Sequence, residues 1–81
     1  MIIWNVIETC DDYKGDSRVF DAHSFKSAKG AWGYFNEKIE VNDGVLERIE
    51  WDKEGEVGFG NYHSEYYGNI FIEVSYSQLL P

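Results

Sequence analysis

The chain has one cysteine and seven basic residues among its 81. Each scarcity removes a class of explanation. A lone Cys10 excludes a disulfide framework and a thiolate-built zinc site, and it fits a reducing compartment, so the cytoplasm is expected. The seven Lys and Arg are scattered, whereas phosphate backbones are held by clustered cations, so direct nucleic-acid binding is not expected. No apolar run approaches the roughly 20 residues that cross a bilayer. The opening Met1-Ile2-Ile3-Trp4-Asn5-Val6-Ile7-Glu8 lacks the basic stretch and small-residue cleavage site of a signal peptide, and no membrane partner is expected.

What the chain has in excess is acid and aromatic surface. Fifteen Asp and Glu against the seven bases give a net charge of -8, and aromatics make up 17%. That aromatic content opposes disorder, and 81 residues suffice for one domain over 1–81, with the tail from 78 to 81 packing or fraying. A chain of this size hides roughly 63% of its extended surface, which leaves little for a deep cleft. The charge is lopsided. Residues 1–36 are near neutral, while Glu37–Glu56 alone holds eight acids and three bases. Such a field repels nucleic acid and attracts basic proteins.

Hydrophobic periodicity predicts β-β-α-β-β-β. Ile2–Thr9 is a strand with apolar residues on both faces, and Asp11–Asp16 is a turn. Ser17–Ala22 then places Phe20 and Ala22 on one side, Val19 and Asp21 on the other. Ser24 is the expected N-cap of a helix whose stripe is Ala28, Ala31, Trp32, Phe35 and Ile39, stopped by Asn42-Asp43-Gly44. Val45–Asp52, Glu56–Tyr62 and Ile70–Tyr76 complete the strands, with Ile49 and Trp51 inward and Glu47 at an exposed end or a bulge. Asn61–Asn69 reads as a loop. The expected class is α+β: an antiparallel sheet of about five strands with one helix packed across one face.

Catalytic and metal motifs are thin. Asp11–Asp16 lacks the alternating ligands and closing Glu of a calcium loop, and neither His23 nor His63 has a second His or Cys two to five residues away. Nothing pairs Cys10 with a base at a telling spacing, and Gly58-Phe59-Gly60 is a fragment of a phosphate loop without its helix. No enzyme, cofactor or metal is expected. Two other features invite a partner. Glu47, Glu50, Asp52, Glu54 and Glu56 form an acid run whose outward members, repeating at about 6.6 Å, would make a compact carboxylate array. Phe59–Asn69 is rich in Tyr, Ser, Gly and Asn, the mixture of adaptable binding loops, so Tyr62, Tyr66 and Tyr67 are the expected packing anchors; the alternative is that Phe59, Tyr62 and Tyr66 fold back to cap the open sheet face.

In outline over Ile2–Tyr76, the hairpin, the helix opened by Ser24-Phe25-Lys26-Ser27-Ala28-Lys29 and the acidic β segment resemble small anti-defence proteins of phages, the anti-CRISPR inhibitors. The resemblance implies a single acidic domain in the host cytoplasm. It would block a nucleic-acid-binding effector, such as a CRISPR-Cas nuclease, by occlusion or DNA mimicry and without catalysis. Those inhibitors share no common sequence, so no residue role transfers. The expected function is inhibition of a basic, nucleic-acid-handling protein. The alternatives are an immunity protein or antitoxin neutralising a cognate toxin, and a homo-oligomeric module or homodimer closed by its Tyr-rich face.

Overall fold

The computed structural model describes residues 1–11 and 17–78. The expected turn at 12–16 and the tail at 79–81 lie outside the described residues. The elements are β1 (Ile2–Asp11), β2 (Ser17–Phe25), α1 (Ala28–Val41), β3 (Val45–Asp52), β4 (Gly55–Ser64) and β5 (Gly68–Gln78). All five strands join one antiparallel sheet in the order β2-β1-β5-β4-β3. The class is α+β. The β1–β5 pairing, Ile2↔Gln78 through Cys10↔Ile70, seats both ends of the described chain in the middle of the sheet. No helix among the described residues is long and apolar enough to cross a membrane.

Strand alternation sorts the side chains onto two faces. One face carries Trp4, Val6 and Glu8 of β1, Gly58, Gly60 and Tyr62 of β4, and Ile70, Ile72 and Val74 of β5, all buried. Ala31 and Phe35 of α1 form one buried cluster with Trp4, Val6, Ile72 and Val74 on this core face. The glycines of β4 admit the helix. A Cβ on Gly58 would collide with the Trp32 ring, and one on Gly60 would stand 2.6 Å from Ile39 Cδ1 and 2.8 Å from the Val45 carbonyl. The open face carries Ile3, Asn5, Ile7, Thr9, Phe59, Asn61, Phe71 and Glu73, half-buried or exposed.

Several boundaries move from their expected places. Ser24 stays in β2, where its hydroxyl donates to Asn5 Oδ1 at 2.9 Å. The helix is capped by Ser27 instead, whose Oγ accepts from the Gly30 amide at 3.1 Å while its backbone is extended. Asn42-Asp43-Gly44 does end the helix, with Asp43 at φ 53° and the Gly44 amide donating to the Ile39 carbonyl at 2.7 Å.

A bulge in β2 inserts Phe20 between the Glu8↔Asp21 and Thr9↔Val19 pairs. Val19 and Asp21 therefore take opposite faces, against the expected alternation. Glu47 marks a second bulge, in β3, one of its two expected settings. Ile49 and Trp51 point toward the core face but remain exposed, at 42% and 76%, because β3 is the outermost strand. The expected 61–69 loop shortens to three residues, since β4 continues to Ser64 and β5 begins at Gly68.

Candidate binding surfaces

The β3–β4 hairpin holds its acids in distinct settings. Asp52 closes the turn: its Oδ1 accepts the Glu54 and Gly55 amides at 2.9 Å each, and its Oδ2 accepts the Tyr76 hydroxyl at 2.6 Å. The hydrogen bond from Tyr76 is the main reason the Asp52 carboxyl sits below its ordinary range, and the same bond pushes Tyr76 up to about 12. Glu50 lies on the open face, cross-strand from Val57, and accepts from Arg48 Nε at 3.1 Å. The Arg48 guanidinium in turn lies 3.9 Å from the centre of the Phe59 ring. Glu47, on its bulge, accepts from Asn61 Nδ2 at 2.5 Å.

Glu56 pairs with Trp51 and so faces the other way from Glu50. The compact array expected from Glu50, Asp52, Glu54 and Glu56 is thus divided: Glu47 and Glu50 on the open face, Glu54 at the tip, Glu56 toward the core face.

That division creates a site that periodicity did not reveal. Trp51, Glu54 and Glu56 meet Trp4, Trp32 and Lys29 around a groove of about 340 Å³. Gly55, at φ 138°, lets the turn pass over the Trp4 ring, where a Cβ would stand 3.2 Å from Cη2. Trp4 is 7% exposed and forms the floor, while Trp51 stands open as a wall. Aromatic faces beside two carboxylates suit a guanidinium or ammonium group, which gains from the ring quadrupoles and from charge-assisted hydrogen bonds together. Lys29 contributes a cation at the helix end of the rim.

The tyrosines occupy the opposite end. Tyr66 and Tyr67, 90% and 53% exposed, sit in the β4–β5 turn, and their amides approach Ser64 Oγ at 3.3 Å. Tyr67 packs edge-on against Phe20, centroids 4.7 Å apart, beside a groove of about 680 Å³ that also reaches Cys10. Ten residues of β4, about 30 Å of strand, separate this turn from the acidic tip. The acid run and the tyrosine pair therefore form no single patch.

Tyr62 leaves the set of contact residues altogether. It is 7% exposed, and its hydroxyl donates to Glu8 Oε2 at 2.5 Å. Burial and the adjacent carboxylate raise its pKa well above the usual tyrosine range. Glu8 is 1% exposed. Its Oε1 has no hydrogen-bond partner, and the nearest cation is Lys38 Nζ at 3.7 Å. Asp21 and His23, 2.9 Å apart, border this buried group along β2, with the Tyr34 ring 4.7 Å from the imidazole. Sequence reasoning missed Glu8, although its parity with Trp4 and Val6 was the available signal. No group of three metal-ligating side chains occurs among the described residues.

Compared with protein-family models, with curated proteins and with solved structures, the chain matches none.

Proposed function

We propose that this protein acts by binding, as an inhibitor that occupies the nucleic-acid-contacting surface of a basic protein. One observation carries the reading: the groove in which Trp4, Trp32 and Trp51 stand beside Glu54 and Glu56. A Lys or Arg that ordinarily grips phosphate finds in it both a carboxylate and an aromatic wall. The fold serves this use, because the first turns of α1 bring Lys29 and Trp32 to the hairpin while Trp51 and Glu54 stay exposed. Asp52 pins the hairpin through Tyr76 and two amides, so little ordering remains to oppose association. The net charge of -8 speeds encounter with a cationic surface. Tyr66 and Tyr67, at the far end, are a separate contact in this account.

The test has two stages. Titration of tryptophan fluorescence with an oligo-arginine peptide should saturate at low salt, weaken as salt rises, and fail for the Glu54→Lys/Glu56→Lys variant. Proteins then retained on the immobilised chain should be nucleic-acid-binding, and added DNA or RNA should displace them. Retention of one toxin, indifferent to nucleic acid, would favour an immunity role instead. A retained partner unaffected by either charge reversal would overturn the proposal.

A further inference from the structure

The sheet ends on β3, and all eight of its residues are exposed. An edge this long, with Ile49 and Trp51 uncovered, offers a free row of peptide groups to another strand. We propose that β3 pairs with β3 of a second copy of this chain, antiparallel about a two-fold axis through Ile49, to make one continuous ten-stranded sheet.

The backbone sets which residues can pair. Asp52↔Gly55 closes the hairpin across only two residues, so these two must exchange hydrogen bonds with each other. By alternation Glu50 and Arg48 also bond to β4, which leaves Trp51 and Ile49 with N–H and C=O directed outward. A two-fold axis perpendicular to the sheet has to pass beside a residue, and Ile49 meeting its own copy uses these outward groups directly.

The side chains then choose among neighbouring registers. Centring on Arg48 sets two guanidinium groups face to face, and centring on Glu50 sets two carboxylates face to face. Centring on Ile49 pairs Arg48 with the partner's Glu50 twice on the open face. The bulge at Glu47 ends regular pairing beyond Arg48, so the register rests on the central Ile49 pair and the two Arg48–Glu50 pairs, with no like charges directly opposed among them. On the core face the two Ile49 side chains meet, each diagonal to the partner's Trp51. Within one chain Arg48 already reaches Glu50 at 3.1 Å, so the same two groups can exchange partners across the axis without moving far. This surface does not involve Glu54, Glu56 or Tyr66 but shares Trp51 with the groove above, and its test reads association between copies, not binding of a cationic peptide.

Sedimentation equilibrium on the full chain over a range of concentrations tests it, with circular dichroism confirming that each variant is folded. The wild-type chain should form a dimer. Arg48→Glu alone and Glu50→Arg alone should each weaken it by about tenfold or more, since two attractive pairs become two repulsive ones. The double variant Arg48→Glu/Glu50→Arg should recover the dimer, and mixing the two single variants should yield heterodimers. Ile49→Cys in a Cys10→Ser background should cross-link to itself on oxidation, because a hydrogen-bonded cross-strand pair places its Cα atoms about 5.5 Å apart. A wild-type chain monomeric at every concentration would overturn the proposal. So would a dimer unmoved by the single charge reversals.

Discussion

Tyr62 and Glu8 are 54 residues apart in the chain and 2.5 Å apart in the core, where the phenol donates to the carboxylate. The contact ties β4 to β1 across the intervening β5, beneath α1, which sends Lys38 toward the same carboxylate. A buried carboxylate survives only with such partners, because its desolvation cost exceeds what one distant cation returns. Removing the donor is therefore worse than removing the pair. Tyr62→Phe should cost about 1–3 kcal/mol, measured by urea denaturation. Adding Glu8→Leu to it should recover part of that loss, as both polar groups then leave the core. A double variant as unstable as the sum of the two singles would show that the pair adds nothing through its mutual contact.

The β4 glycines support a second expectation. The Val45 carbonyl passes so close to Gly60 that a Cβ there would stand 2.8 Å from it, and no rotamer change relieves a contact with backbone. Gly60→Ala should destabilise the fold by about 1–3 kcal/mol through forced separation of β3 from β4 and of Ile39 from the sheet. Gly33→Ala is the control. It meets nothing within 4 Å and lies in the helix, so thermal denaturation should show it neutral or slightly stabilised.

The positions that could and could not be read from sequence differ for physical reasons. The helix stripe, the acid bias and the Glu47 anomaly are local, and period alone exposes them. Ser27 was harder to find, because Ser24 and Ser27 both precede the apolar stripe and only the Asn5–Ser24 contact across β1–β2 decides between them. Tyr62 falls where the expected strand 56–62 and the expected loop 61–69 overlap, and its burial is hidden because Gly58 and Gly60, its partners in alternation, carry no hydropathy signal though they are buried. The tryptophan groove was not legible at all. Trp4, Trp32 and Trp51 come from three elements, and only the sheet order and the turn at Gly55 bring them together.

That groove supports a third expectation. Trp51→Ala removes the exposed wall and leaves the Trp4 floor, so affinity for an oligo-arginine peptide should fall by about 0.5–2 kcal/mol, roughly 2- to 30-fold in Kd. Trp51→Phe should retain part of it, since phenylalanine offers a weaker face. Neither substitution should move the denaturation midpoint much, because the side chain is 76% exposed in the free protein. Lys29→Gln, by lifting a cation from the rim, should tighten the same complex at low salt. Calorimetry on the four proteins separates these outcomes, and a Trp51→Ala protein binding as tightly as the parent would remove the aromatic contribution.

The last expectation concerns pH, through Asp52 and Tyr76. Asp52 titrates below its ordinary range because Tyr76 donates to its charged form, so folding favours the ionised carboxylate. The resulting stability is present above the unfolded value of about 3.9 and is lost as pH falls through the lower folded value. Tyr76 responds in the opposite sense. Raised to about 12, it contributes fully below the unfolded value, and that contribution is lost as pH climbs through the folded one. Tyr76→Phe removes the shared bond, so its loss of Tm should be constant across neutral pH and should shrink in acid and in strong alkali. The Asp52 carboxyl, followed by NMR in the same variant, should titrate closer to an ordinary aspartate. It should still fall short of one, because the Glu54 and Gly55 amides continue to donate to Oδ1. If the Tm deficit were equal in acid and at neutrality, the contact would be contributing through ring packing against Trp4, whose centroid lies 5.3 Å away, and not through the hydroxyl.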